Sequence, residues 1–136
     1  MAPFPGLRRG TILVRADIRL PASLSSSETE LLGEWNLLSL CPSETFFERL
    51  KVAGWKCFYI GGEINLTATG RTYGGTMAKL LNRVQRVVKK RDCNCIEITG
   101  METSRSLGFS NVRLGAQARH VQKGSEGTVA LGLVQD

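Results

Sequence analysis

The sequence predicts an α+β fold: a mainly antiparallel sheet of four or five strands, with one long amphipathic helix and one or two short helices on one face. Two observations support this prediction. Between positions 76 and 91 the apolar residues recur at the spacing of one helical face. Before and after this segment apolar and polar residues alternate, as they do in a strand with one buried face. One apolar core can join these segments.

The long helix should extend over residues 76–91, with Thr76 as its N-cap after two glycines. Cations crowd its last turn, where the helix dipole favours them. Its apolar stripe consists of Met77, Leu80, Leu81, Val84, Val87 and Val88. We expect this stripe to lie flat on the sheet, against Ile96, Ile98, Val112 and Leu114.

The segment after this helix should form a β-hairpin. Ile96 and Ile98 alternate with polar residues and are expected to face the helix. Leu107-Gly108 interrupts the pattern and predicts the turn. Alternation resumes over residues 112–118, and residues 128–134 could add a last strand or pair with another subunit.

The first half of the chain predicts shorter elements. Residues 11–20 alternate as a half-buried strand. Ser27 and Glu30 fit the capping box of a short helix. A second helix of about ten residues should start at Ser43 as its cap and end before Gly54.

A longer strand is expected between Cys57 and Thr69. The glycine pair Gly61-Gly62 should bend or bulge it, because glycine permits unusual dihedrals at a cost in packing.

Length and composition indicate one globular domain over residues 11–136 behind a flexible lead-in, residues 1–10. Hydrophobic residues make up 42% and charged residues 22%, which is ordinary for a globular chain. No apolar run approaches the roughly 18 residues of a membrane span, and no secretory h-region follows the first charges. We therefore expect a cytoplasmic protein, or a mature fragment whose leader was removed.

The net charge of +6 is concentrated in the long helix, since six of the 18 basic residues lie between Lys79 and Arg91. Such a face attracts phosphate or acidic partners, nucleic acid included. The candidate anion-binding residues are Lys79, Arg83, Arg86, Lys90 and Arg91. The alternative is an ordinary solvated helix face. No aromatic residue interleaves with these charges, and no recognised nucleic-acid motif is present.

Cys93 and Cys95 form the candidate metal or redox site, with His120 as a further possible ligand. Residues two apart in a strand point to one face, so both sulfurs should face away from the isoleucines. The alternative is a pair of buried structural cysteines, because zinc sites need a second spaced pair or added histidines. The two other cysteines are Cys41 and Cys57.

The sequence offers no catalytic set, and we predict a protein that is not an enzyme and has no cofactor. His120 is the only histidine, with no nucleophile in a recognisable arrangement around it. The glycine-rich segment 70–76 precedes a helix but lacks the Lys-Ser/Thr ending of a phosphate loop. The 12 carboxylates include no compact pair for acid–base chemistry.

An amphipathic helix that runs into Arg91-Asp-Cys-Asn-Cys-Ile-Glu-Ile, with a strand hairpin that ends in Ala-Arg-His-Val-Gln, resembles the YbjQ-like small bacterial domains. These domains are associated with heavy-metal binding. The resemblance covers about residues 57–122. It implies a small α+β domain that assembles as a ring or other homo-oligomer, with no well-established activity.

Three functional hypotheses follow. The first is self-association into a homo-oligomer through edge strands such as 112–121 or 128–134, because an unpaired edge has to be covered. The second is binding of an anionic partner, nucleic acid or acidic protein, through the basic helix 76–91. The third is metal or redox sensing through Cys93 and Cys95.

Overall fold

The computed structural model describes residues 7–24, 29–32, 34–39 and 42–124. This part of the chain forms two α-helices, seven strands and one short 3-10 turn. The helices are α1 (Ser43–Val52) and α2 (Tyr73–Arg91), and the 3-10 turn is Ala22–Leu24. The strands are β1 (Thr11–Arg15), β2 (Thr29–Leu32), β3 (Trp35–Ser39), β4 (Trp55–Tyr59), β5 (Ile64–Gly70), β6 (Cys95–Ser106) and β7 (Phe109–Lys123).

The seven strands form one sheet, which is larger than the four or five strands predicted from the sequence. The spatial order is β2-β3-β1-β6-β7, and β4 and β5 lie one after the other along the outer side of β7. All pairings between the described strands are antiparallel. The α+β class and the antiparallel sheet are therefore as predicted.

The predicted irregularity at Gly61-Gly62 is present between β4 and β5. Tyr59 pairs with Arg119 and Ile64 pairs with Ala116, so residues 60–63 lie opposite residues 117–118. Gly61 has a φ of 73°, which glycine adopts without steric cost. The bulge divides what would be one long strand into two.

The two helices pack on opposite faces of the sheet, and the prediction that they share one face is wrong. Leu13 of β1 belongs to the core under α2, whereas its neighbours Ile12 and Val14 belong to the core under α1. Because successive side chains of a strand point to opposite faces, β1 contributes to both cores. This strand lies between β3 and β6 and is buried on both sides, which a pattern of simple alternation did not indicate.

Four of the six residues of the predicted apolar stripe of α2 are buried against the sheet, Val87 is partly buried there, and Leu81 is not part of the core cluster. Met77, Leu80, Val84 and Val88 are buried in one cluster with Ile96, Ile98, Val112 and Leu114. The helix packs over β5 and β7. Leu7 is buried in the same cluster, so the predicted flexible lead-in contributes a core residue; residues 1–6 lie outside the described part.

Three local predictions in the first half are wrong. The strand predicted over 11–20 ends at Arg15, where its pairing with β3 and β6 also ends. The capping-box helix at Glu30 is instead strand β2, which pairs with β3 as a hairpin; Ser27 lies outside the described residues. Ser43 does not cap α1, because its hydroxyl donates to Glu97 at 2.8 Å and Pro42 takes the cap position.

The start of α2 also differs from the prediction. Thr72 is the N-cap, and its hydroxyl accepts from the Gly75 N–H at 3.0 Å. Thr76 is buried inside the first turn and donates to the Thr72 carbonyl at 2.7 Å. The glycine pair lies within the helix rather than before it, since tertiary packing of the first turn outweighs the low helix propensity of glycine.

Candidate anion-binding helix

Helix α2 carries six cations and no acidic residue between Tyr73 and Arg91. None of these cations forms a salt bridge with another described residue. The described ion pairs lie in other elements, for example Arg15–Asp17 after β1 and Lys51–Glu48 on α1. No ion pair between described residues therefore neutralises a cation of α2.

Four of the five candidate anion-binding residues form one exposed row, which we call the cationic stripe. It consists of Lys79, Arg83, Arg86 and Lys90. With 3.6 residues per turn these positions fall within a narrow arc on the exposed side of the helix, toward the β5 edge of the sheet. At 1.5 Å per residue the row is about 16 Å long.

Two residues of the stripe contact the outer edge of β5. The Lys79 ammonium donates to the Thr69 carbonyl at 2.9 Å, and the Arg83 guanidinium donates to the Thr67 carbonyl. These acceptors carry no net charge, so both side chains keep their full positive charge. Arg86 and Lys90 are exposed and make no hydrogen bond or ion pair with another described residue.

Arg91, the fifth candidate, lies apart from the stripe. Its guanidinium is half-buried over the bulge and donates to the carbonyls of Ile60, at 3.2 Å, and Gly62. A Cβ at Gly61 would lie 2.9 Å from the Arg91 Nη1, so the end of the Arg91 side chain would have to shift to admit one. Arg91 therefore holds the bulge against the end of α2 and is removed from the candidate anion site.

A groove of about 680 Å³ lies on the other flank of α2, beside β1 and β3. Trp35, Val88 and Cys93 contribute apolar surface to it, and Arg86 and Lys89 line its helical side. Glu34 and Asp92 also line the groove. The acidic residues make this flank mixed in charge, and Arg86 is the stripe residue that also lines it.

The structure separates the two candidate metal ligands of the CxC segment. Cys93 is buried in the core under α2, and Cys95 is buried in the core under α1. The prediction that both sulfurs share one face is wrong, because Cys93 precedes β6 and the alternation of that strand begins only at Cys95. Burial raises the pKa of both thiols.

His120 is half-buried on β7, opposite Phe58 of β4. Within the described ranges, no three His, Cys, Asp or Glu side chains are grouped closely enough to hold a metal ion. Cys41 lies outside those ranges. The positions of the described Cys and His residues therefore do not support the hypothesis of metal or redox sensing.

Sequence reasoning missed a polar cluster between the sheet and α1. Arg119 donates to the Glu97 carboxylate at 3.0 Å and to the Tyr59 hydroxyl at 2.8 Å, and its guanidinium lies 3.8 Å from the ring centre of Phe47. The second carboxylate oxygen of Glu97 accepts from Ser43 at 2.8 Å. These contacts join Ser43 and Phe47 of α1 to Glu97 and Arg119 of the sheet, so the cluster fixes α1 to the sheet. The available signal was a glutamate between two buried isoleucines.

No family model, curated protein or solved structure matches this chain. The YbjQ-like resemblance remains a sequence-based expectation.

Of the helices in the described part of the chain, neither α1 nor α2 is long and apolar enough to cross a membrane.

Proposed function

We propose that the protein binds a phosphate-bearing polyanion, specifically the backbone of a nucleic acid, through the cationic stripe of α2. The observation that supports this proposal is a row of four exposed cations on a helix without a single acidic residue. Lysine and arginine side chains that neutralise phosphates release condensed counterions, which supplies most of the affinity of such contacts.

The stripe is costly for the helix itself, which argues against an ordinary solvated face. Lys79 and Arg83 are four residues apart, as are Arg86 and Lys90. Like charges at this spacing destabilise a helix by about 0.2–0.5 kcal/mol per pair. Solvated helices normally interleave both signs of charge, whereas α2 has only one. An anionic partner would offset this repulsion.

The shape of the stripe favours an extended polyanion over a small anion. Its charges are spread along about 16 Å of exposed helix rather than around an enclosed cavity. A single nucleic-acid strand in a duplex presents a phosphate about every 3.4 Å along the axis, so several phosphates fit beside the stripe. Long basic side chains that contact phosphates fix position but do not identify bases, and we expect little sequence selectivity.

Fluorescence anisotropy with a labelled DNA duplex and a labelled single strand, each titrated at several salt concentrations, tests the proposal. Four phosphate contacts on a duplex predict a slope of log K against log salt of about −3.6. The variants Arg86→Gln and Lys90→Gln should each make this slope shallower by about 0.9. Binding that is absent, or that does not respond to salt, would overturn the proposal.

Arg49→Gln is the matched control. Arg49 is an exposed cation of α1, on the opposite face of the sheet, so this variant removes the same charge from a different surface. It should leave the salt slope unchanged. If poly-glutamate binds to the stripe and neither the duplex nor the single strand does, the partner is an acidic protein and the nucleic-acid proposal is wrong.

A further inference from the structure

We propose that the outer edge of β5 is a self-association surface, at which a second copy of this chain pairs with the strand. Lys79 and Arg83 block this pairing, and a bound polyanion displaces them from the edge. The displacement of these two side chains by a polyanion rests on the proposed function, whereas the self-association surface itself does not.

The edge is free of any other strand in the described part of the chain. β5 pairs with β7 along its whole length, from Ile64 to Gly70, and no described strand lies on its other side. The carbonyls of Thr67 and Thr69 point outward, as their contacts with α2 show. In an antiparallel ladder the N–H of such a residue points to the same side as its carbonyl. An exposed edge of this length is a template for another strand.

Lys79 and Arg83 occupy the acceptors that an incoming strand would need. Each donates to one outward carbonyl of β5, and both are exposed, charged and on the same side of the helix. Charged side chains are a common means of keeping a sheet edge from pairing. Two edges that approach each other would also bring the cations of two copies together, which adds repulsion.

A polyanion removes both obstacles. A phosphate adds charge–charge attraction to the hydrogen bonds that lysine and arginine donate, and a neutral carbonyl does not. Phosphates along the stripe therefore compete with the Thr67 and Thr69 carbonyls for the same two side chains. The phosphates also cancel the charge that keeps two copies apart.

The geometry of β5 suits a symmetric pair. Thr67 is the middle residue of Ile64–Gly70, so a twofold axis there would place Thr67 opposite Thr67 and Asn65 opposite Thr69. Cross-strand threonine pairs are favourable in antiparallel sheets. An isologous contact of this kind closes at a dimer. It would also place both α2 helices on one face, next to each other, so that one polyanion could contact both stripes.

Sedimentation velocity of the full chain tests the surface without any polyanion. The double variant Lys79→Gln/Arg83→Gln removes both contacts with the edge and should sediment as a dimer at a concentration at which the unaltered chain is a monomer. The matched control, Arg86→Gln/Lys90→Gln, removes the same charge from the same helix but no edge contact, and should remain a monomer. If both double variants remain monomers, the proposal is overturned.

A proline on the edge provides a second, independent variant. Thr67→Pro removes an outward N–H, which is compatible with an edge strand but not with a paired one. Added to Lys79→Gln/Arg83→Gln, it should restore the monomer. Circular dichroism checks that each variant is folded.

If the double variant does not fold, Thr67→Pro in the otherwise unaltered chain decides the question. This variant should abolish the dimerisation that the polyanion induces. A dimer that persists overturns the proposal.

A short single-stranded oligonucleotide, no longer than one stripe, is the polyanion for this experiment, because it is extended but too short to hold several copies along its length. It should convert the unaltered chain to a dimer. If nucleic acid does not bind while Lys79→Gln/Arg83→Gln still dimerises, the proposed function fails and the surface stands. If nucleic acid binds with the expected salt slope and no condition gives a dimer, the surface is wrong and the proposed function stands.

Discussion

Asn94 connects the end of α2 to the sheet on two sides: its backbone carbonyl accepts from the Arg15 N–H of β1 at 3.0 Å, and its side chain bonds to β7. It is 2% exposed, its amide nitrogen donates to the Val121 carbonyl at 2.8 Å, and its amide oxygen accepts from the Val121 N–H at 2.8 Å. Asn94 lies between the end of α2 and the start of β6. Its two side-chain bonds continue the hydrogen-bond ladder of β6 and β7 beyond Cys95, the first residue of β6. The side chain thus acts as a short piece of strand.

Asn94→Asp should therefore destabilise the fold strongly. A carboxylate cannot donate to the Val121 carbonyl, and a buried carbonyl without a donor costs about 1–3 kcal/mol in addition to the cost of burying the new charge. Urea unfolding monitored by circular dichroism measures the loss. Asn65→Asp, on the exposed face of β5, makes the same chemical change and should alter stability by less than about 0.5 kcal/mol. Equal losses in the two variants would contradict this role of Asn94.

Cys95 makes the stability of the protein depend on alkaline pH. Burial raises the pKa of its thiol far above the usual range, so the thiol stays neutral in the folded chain while it ionises in the unfolded chain. The contribution of the neutral thiol to the free energy of unfolding is complete below about pH 8.5, which is the pKa of the thiol in the unfolded chain. This contribution is lost progressively as the pH rises above that value. The free energy of unfolding should fall by up to about 1.4 kcal/mol per pH unit for this group.

The comparison of pH slopes isolates this effect from other groups that ionise in the same range. Cys95→Ala lacks the thiol, so its free energy of unfolding should fall less steeply between about pH 8 and about pH 10 than that of the unaltered chain. Urea titrations at several pH values give both slopes. Parallel slopes would show that Cys95 ionises equally in both states.

At the scale of elements, the turn between β6 and β7 is encoded only in part by its sequence. Leu107 and Gly108 have φ values of 52° and 80°, as both central residues of a type I′ turn require. Glycine adopts this conformation freely, but leucine does so at a cost of about 1 kcal/mol. Leu107 is also 95% exposed, so no burial compensates for that cost.

Leu107→Asn should therefore stabilise the protein by about 0.5–1 kcal/mol, because asparagine tolerates the left-handed region. Thermal unfolding should show an increase in Tm. Leu107→Ala serves as the control: it removes the exposed apolar side chain but keeps the conformational cost, so its Tm should stay near that of the unaltered chain. An increase of the same size in both variants would indicate that side-chain exposure, not backbone conformation, limits the stability of the turn.

The elements that could be predicted from the sequence are those with one dominant period. The stripe of α2 from Met77 to Val88 and the hairpin turn at Leu107-Gly108 both have local signals, and both are present. The face of the sheet on which each helix packs could not be predicted in the same way. It depends on β1, whose consecutive buried residues Ile12 and Leu13 belong to different cores, and burial on both sides removes the alternation that identifies a face.

The candidate site shows the same division between local and long-range information. The charges of Lys79, Arg83, Arg86 and Lys90 are evident in the sequence, and helical spacing places them in one row. Their relation to the edge of β5 depends on how α2 crosses the sheet. The 112–121 segment illustrates the reverse error: the prediction that it forms a free edge is wrong, because β7 pairs on both sides, and the 128–134 segment lies outside the described residues.

At the scale of the whole molecule, one sheet carries two separate apolar cores. Phe46 of α1 is buried in one core and Leu80 of α2 in the other. The strands between them contribute to both cores: Ile96 and Cys95 are neighbours in β6 and face opposite ways. Loss of either core therefore loosens the strands on which the other core depends, and the two should unfold together.

Phe46→Ala tests this coupling. Removing a buried phenylalanine costs about 3–5 kcal/mol, so the amides of α1 should exchange faster with deuterium in mass-spectrometric measurements. If the shared strands couple the cores, the amides of α2, on the far face of the sheet, should lose protection by a similar free energy. Val52→Ala, which alters an exposed residue of α1, should change neither helix. Faster exchange in α1 while α2 keeps its full protection would show that each face of the sheet unfolds on its own.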